Sequence, residues 1–160
     1  MSIFVGTDKI AKLFVGTDQI KRVWVGTDLV YQSQLWLLGN GADNLSTFTQ
    51  ISGGSNHTTS KNSTTIKLAY TGESGNESAS ARCYINVDLT GYTKLHATFS
   101  RSPNGYFKVG TLANVTSTGN VTVDISSLTG TSVPIVVAYT GGSAWPYSGW
   151  YAQLSNIWIE

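Results

Sequence analysis

Apolar and polar positions follow two different rhythms along the chain. Through the first 32 residues an apolar triplet followed by Gly-Thr-Asp recurs every ten positions: Ile3-Phe4-Val5-Gly6-Thr7-Asp8, Leu13-Phe14-Val15-Gly16-Thr17-Asp18 and Val23-Trp24-Val25-Gly26-Thr27-Asp28. Glycine admits unusual backbone angles and aspartate closes local turns, so each Gly-Thr-Asp reads as the punctuation of a hairpin. A period of ten suits a β-meander and is far shorter than a solenoid or propeller repeat.

With Thr17-Asp18 as the turn, Val15 would face Ile20, Phe14 would face Lys21 and Leu13 would face Arg22. One face then carries Ala11, Leu13, Val15, Ile20 and Trp24 with Arg22. The other carries Ile10, Phe14, Val23 and Val25 with Lys12 and Lys21. Neither is the solvated face of a one-sided sheet, and a few short strands are marginally stable alone. The repeat is therefore expected to bury itself against copies in other chains or against a larger particle, through Phe4, Phe14, Val15, Trp24 and Val25. Packing on its own C-terminal domain is the alternative.

From Leu35 onward the rhythm becomes one of short apolar runs separated by turn residues. Strands are predicted near 35–38, 47–51, 64–70, 81–88, 94–101, 106–112, 120–125, 133–139 and 150–160, and a Ser/Asn/Thr-rich surface loop over 53–63. Arg82-Cys83-Tyr84-Ile85-Asn86-Val87 and Asn120-Val121-Thr122-Val123-Asp124-Ile125 alternate with period two, the mark of half-buried sandwich strands. Pro134 opens its run, where a strand tolerates it. The expected fold class is all-β: a short N-terminal β-hairpin repeat (meander) over 1–33, followed by a jelly-roll β-sandwich over 34–160.

Composition agrees and narrows the function. Only 12% of residues are charged, and the chain is rich in Thr, Val, Tyr and Trp, with Gly, Asn and Ser for turns. A C-terminal unit of about 120 residues can bury roughly two thirds of its unfolded surface. Net charge is +1 without a basic cluster, which argues against nucleic acid as a partner. No run of 18 apolar residues predicts a membrane span, and the first residues lack the pattern of a secretory signal. The Asn-x-Ser/Thr sites at Asn44, Asn56, Asn62, Asn76, Asn114 and Asn120 therefore read as by-products of composition. The single Cys83 cannot form an internal disulfide, which fits synthesis in a reducing cytoplasm.

The stretches Val87-Asp88-Leu89-Thr90-Gly91-Tyr92-Thr93-Lys94-Leu95, Val123-Asp124-Ile125-Ser126-Ser127-Leu128-Thr129-Gly130 and Leu154-Ser155-Asn156-Ile157-Trp158-Ile159-Glu160 resemble the carbohydrate-binding-module-like jelly-roll domains of phage and prophage structural proteins. The N-terminal triplicate resembles the Val-Gly-Thr-Asp repeats that precede such domains in tail, baseplate or fibre proteins. That resemblance implies a virion component, made in the bacterial host cytoplasm, in which the repeat anchors or trimerises beside other virion proteins while the sandwich faces outward. It implies no catalytic residue. Asp88 and Asp124 would cap turns, Gly91 and Gly130 would be turn glycines, and Trp158 would lie in the core. Receptor binding, structural decoration of a capsid or tail, and an accessory carbohydrate-binding module of a bacterial surface protein all remain open at this stage.

Candidate chemistry is sparse, and the chain is not expected to be an enzyme. Glycan hydrolysis wants two carboxylates about 5–10 Å apart. The C-terminal region offers Asp43, Glu73, Glu77, Asp88, Asp124 and Glu160, with Glu73 and Glu77 in a Gly-rich loop. His57 and His96 have no partner at zinc spacing, so no metal and no cofactor are expected, a loop-held Ca²⁺ being the residual option. The most suggestive stretch is Gly141-Gly142-Ser143-Ala144-Trp145-Pro146-Tyr147-Ser148-Gly149-Trp150-Tyr151. Trp145, Tyr147 and Trp150 are candidates to stack on the C–H faces of a host surface polysaccharide. Tyr106, with Asn104 and Phe107, forms a weaker second candidate. Capping of the sandwich or a subunit contact is the competing role for these rings.

Overall fold

The structure is a computed structural model. It describes the chain except residues 1–3, 6–7, 10–12, 16–17, 21, 26–27, 33, 46–48, 53–56, 72–79, 129 and 141–148. Within strands between 4 and 32, and in 49–52, it describes the backbone, and side chains only at Val15, Val23 and Val25. The chain forms two compact units, Met1–Leu35 with the terminal Glu160, and Trp36–Ile159.

Among the described residues, the first unit holds three antiparallel hairpins, each a two-stranded sheet of its own. They pair β1 (Phe4–Val5) with β2 (Asp8–Lys9), β3 (Leu13–Val15) with β4 (Asp18–Ile20), and β5 (Arg22–Val25) with β6 (Asp28–Gln32). The hairpin repeat is thus present, but the expected register is corrected. Val5, Val15 and Val25 pair with Asp8, Asp18 and Asp28, Phe14 pairs with Gln19, and Leu13 pairs with Ile20. Only Gly-Thr lies between the paired residues, and each Asp begins the return strand. A two-residue connection with glycine first matches the twist of the flanking strands better than the longer connection expected. The correction moves the partner by two positions, an even number, so within the second hairpin Leu13, Val15 and Ile20 stay on one face, as expected.

The second unit is a two-sheet sandwich. Its first strands are β7 (Leu35–Gly39), β8 (Ala42–Asp43), β9 (Thr49–Ser52), β10 (His57–Lys61) and β11 (Thr65–Tyr70). The remainder are β12 (Ala81–Val87), β13 (Lys94–Arg101), β14 (Gly105–Val109), β15 (Gly119–Asp124), β16 (Val133–Tyr139) and β17 (Tyr151–Ile159). One sheet runs β10-β11-β17-β13-β15, with β7 also beside β17 and β8 beside β7; the other runs β14-β16-β12-β9. From β11 to β17 every successive strand changes sheet, the connectivity of a jelly roll. Val115 bridges to Phe107 at the outer edge of the smaller sheet.

The core lies between the sheets and follows the alternation. On β12 Ala81, Cys83, Ile85 and Val87 are buried, and on β13 Leu95, Ala97 and Phe99. Phe99 and Phe107 meet edge to face across the gap, with ring centroids 5.0 Å apart. The turn assignments hold where the structure describes them. Asp88 Oδ1 accepts from the Thr90 amide at 2.8 Å, and Asp124 Oδ1 accepts from the Ser126 hydroxyl at 2.6 Å and its amide at 2.9 Å. Those bonds, the hydroxyl first, hold the Asp124 carboxyl below its ordinary range.

Two elements depart from expectation. Residues 57–61 form strand β10 instead of belonging to a loop. Its Thr, Ser and Lys suit a sheet edge with one wet face, and Asn62 Oδ1 closes the turn into β11 by accepting from the Thr64 and Thr65 amides at 2.9 and 2.8 Å. The strand β8, also missed, follows Asn40-Gly41, whose φ values of 50° and 78° satisfy a two-residue hairpin of the Asn-Gly kind.

Strand β17 contains a bulge. Its register against β13 shifts between Ser155 and Trp158, and Asn156 takes φ 52°. Before the bulge Ala152 and Leu154 point inward; after it Ile157 and Ile159 do. Gly39, at φ 93°, lies against this bulge, and a Cβ there would come within 2.8 Å of Asn156 Oδ1. Gly41, at φ 78°, has open space around the same position. Gly39→Ala is expected to lower stability by about 1–3 kcal/mol from backbone strain, plus the displaced contact, so its thermal melt should fall further than that of Gly41→Ala. Equal melts would remove the contact from the explanation.

Candidate functional site

The bulge decides where Trp158 points, and this corrects its expected place in the core. Because Ile157 and Ile159 take the inward positions, Trp158 lies between them on the outer face of the seven-stranded sheet and is half-buried. Its cross-strand partner on β13 is His96, and the two rings stack at 3.6 Å with an interplanar angle of 8°. On the opposite neighbouring strand, β7, Trp36 approaches Trp158 with centroids 6.1 Å apart. On the far side of His96, the Thr122 hydroxyl on β15 is 3.0 Å from Nδ1. Four adjacent strands thus supply one row, Trp36, Trp158, His96 and Thr122. Ile157 and Ile159, inward residues flanking Trp158, together with the doubled polar step Ser155-Asn156, were the sequence signal that could have revealed it.

On one side of the row the exposed, cross-strand pair Lys94 and Asp124 places two opposite charges two residues from His96 and Thr122; on the other side the groups are uncharged and hydrogen-bonding. Thr98 Oγ1 donates to Asn120 Oδ1 at 2.9 Å on the same outer face. Towards the other end of β17, Lys67 Nζ stands 5.2 Å from the centroid of the Tyr151 ring.

The candidate residues of the 141–151 segment divide. Trp145 and Tyr147 lie outside the described residues. Trp150 is half-buried, its carbonyl accepts from the Tyr70 amide at 2.8 Å, and its ring meets Tyr139 edge to face at 6.3 Å. Beneath it sits a buried polar cluster in which His57 Nδ1 and the Tyr139 hydroxyl share a hydrogen bond of 2.6 Å. The His57 and Tyr70 rings lie 5.2 Å apart. Burial raises the Tyr139 phenol above its ordinary 10.0. The foot of the segment is therefore a packed element, as the capping role would require.

The second candidate does not form a loop. Tyr106 and Phe107 belong to β14, Phe107 is fully buried and Tyr106 is half-buried opposite Ala138. Only Asn104, at φ 64°, is in the turn. Alternation with Phe107 inward forces Tyr106 outward, away from the loop end.

For the N-terminal candidates, Phe4, Phe14 and Trp24 are placed by backbone in β1, β3 and β5, while their side chains lie outside the description. Val15 and Val25 occupy equivalent places in two hairpins and are 69% and 66% exposed.

Carboxylates are held in structural roles: Asp88 and Asp124 in their turns, and Asp43 in an ion pair with Lys61. Glu73 and Glu77 lie outside the described residues. Among the described residues no three of His, Cys, Asp and Glu gather as a metal site. No family model matches the sequence, and no curated protein or solved structure matches the chain.

Proposed function

We propose that this chain is a non-enzymatic virion component of a tailed bacteriophage, an oligomer whose hairpin repeat joins copies of the chain while the sandwich is displayed as a binding domain. The observation that carries the reading is the pair Val15 and Val25. They are the large hydrophobic side chains most exposed among the described residues, and they recur ten positions apart in identical Val-Gly-Thr-Asp contexts. A single exposed valine needs no explanation; the same one repeated by a periodic element is a surface built to be covered. Copies of the same repeat offer a matching apolar face, and two-stranded hairpins leave strand edges that further strands can extend. The resemblance to fibre-type proteins favours three chains, with other virion proteins as neighbours and host surface polysaccharide as the displayed domain's target.

Sedimentation velocity on the full chain tests the assembly. The wild type is expected to run as a discrete oligomer, and Val15→Lys with Val25→Lys to shift it to the monomer while the sandwich's melting transition stays in place. A wild-type monomer at micromolar concentration would overturn this reading. Mass spectrometry of purified particles is expected to find the chain as a stoichiometric component.

A further inference from the structure

We propose that the outer face of the seven-stranded sheet, along the row Trp36–Trp158–His96–Thr122, binds an uncharged polysaccharide, with the chain of sugars laid across the strands. The proposal rests on the reading of the sandwich as a displayed binding domain, and it places the site away from the 141–151 segment.

The argument starts from cost. Trp158 and Trp36 are on the solvent side of β17 and β7, where Ser, Thr or Gln serve as well for the fold, as Ser155 and Gln153 show on the same strand face. Cross-strand ring pairs do stabilise a sheet, by about 0.2–1 kcal/mol each, but one pair would supply that. Here the rings continue over three strands and end on a hydroxyl on the fourth. At roughly 4.8 Å per strand the row spans about 14 Å, the scale of a short oligosaccharide rather than of one small molecule.

Its chemistry selects the occupant. Rings give contact to the C–H faces of sugars, and neighbouring hydroxyl and amide groups, Thr122, Thr98 and Asn120, pair with sugar hydroxyls. A nucleic acid would require a run of Lys and Arg, and the row contains none. A second protein copy would favour the exposed apolar Val15 and Val25, whereas this face carries polar side chains beside its rings. The charges beside the row, Lys94 and Asp124, are opposite and paired across neighbouring strands, so an extended neutral glycan fits this aromatic and hydroxyl-bearing strip.

The experiment is binding of the full-length protein to an array of uncharged hexose and N-acetylhexosamine oligosaccharides, with acidic polysaccharides as a separate arm. Trp36→Ala, at the end of the row, is expected to weaken binding roughly tenfold or more while its lost contact with Trp158 lowers the melting temperature by only about 1–5 °C. Trp158→Phe should retain much of the binding that Trp158→Ala loses, and Thr122→Val, which removes the hydroxyl and its hydrogen bond to His96, should weaken it while both tryptophans remain. The Val15→Lys, Val25→Lys variant separates the two readings. It should recognise the same glycans more weakly through lost multivalency, and the Trp36→Ala effect is expected even if the wild type proves monomeric. Binding unaffected by both Trp36→Ala and Trp158→Ala, binding abolished by Trp150→Ala alone, or binding confined to the acidic arm would each overturn the proposal.

Discussion

Phe99→Ala is expected to destabilise the sandwich by about 3–5 kcal/mol, which for a unit of this size lowers its melting temperature by roughly 12–20 °C. Phe99 is fully buried on β13, and its ring meets Phe107 of the opposite sheet at 5.0 Å and 65°. Truncation removes both the transferred apolar surface and the edge-to-face contact. It also leaves a void between two hydrogen-bonded sheets that cannot close on it independently. Since domains of this kind are stable by about 5–15 kcal/mol, the loss takes a large share of the total. Differential scanning calorimetry would show it. A shift of only one or two degrees would mean that the two sheets are not held together through this contact.

Alkaline pH is expected to destabilise the fold from about pH 9 upward, beginning before lysine titrates. Burial pushes the Cys83 thiol from its ordinary 9.0 up to about 12. The folded-state value is raised, so the stabilisation is fully present below pH 9 and is lost as pH climbs towards 12. In that window the unfolded chain releases a proton that the folded chain keeps. Stability then falls by up to about 1.4 kcal/mol per pH unit, approaching about 4 kcal/mol across the window. The Tyr139 phenol, also raised by burial, steepens the fall above its ordinary 10.0. Urea unfolding from pH 7 to 11 should show a plateau, then a decline beginning near pH 9. Cys83→Ala should delay the onset towards pH 10, and the native thiol should resist aromatic disulfide reagents until the protein unfolds. A flat profile to pH 11 would show that the thiol is not sequestered from water.

Much of the architecture was legible in the residues because burial imposes a period on a strand. The predicted strands 81–88, 94–101 and 133–139 fall within a residue or so of the observed β12, β13 and β16; β12 and β13 put every second side chain into the core, whereas β16 is an apolar run buried at all but Pro134. The turn aspartates and glycines were legible for a different reason: Asp88, Asp124, Gly91 and Gly130 solve local backbone problems that need no distant partner. The hairpin repeat was visible as a period, but its register was not. A shift of two along the partner strand leaves every face unchanged, so hydrophobic pattern alone does not choose between the alternatives.

What escaped the sequence reading has a common cause. Strand β10 is polar because it lies at a sheet edge beside β11, and edge position is a property of the assembled sheet rather than of His-Thr-Thr-Ser-Lys. The outward turn of Trp158 depends on the bulge at Asn156, where β17 answers to β13, β11 and β7 at once. By itself, the sequence determined that the chain is all-β, where most strands run, which turns close them and that a periodic element precedes a sandwich. These follow from interactions within a few residues and from the period of burial. Only the tertiary structure decided which strands are neighbours, and hence that Trp36, Trp158, His96 and Thr122, spread over 123 positions of chain, stand in one row. Pairing between strands distant in sequence is set by the packing of the whole sandwich, and no local pattern carries it.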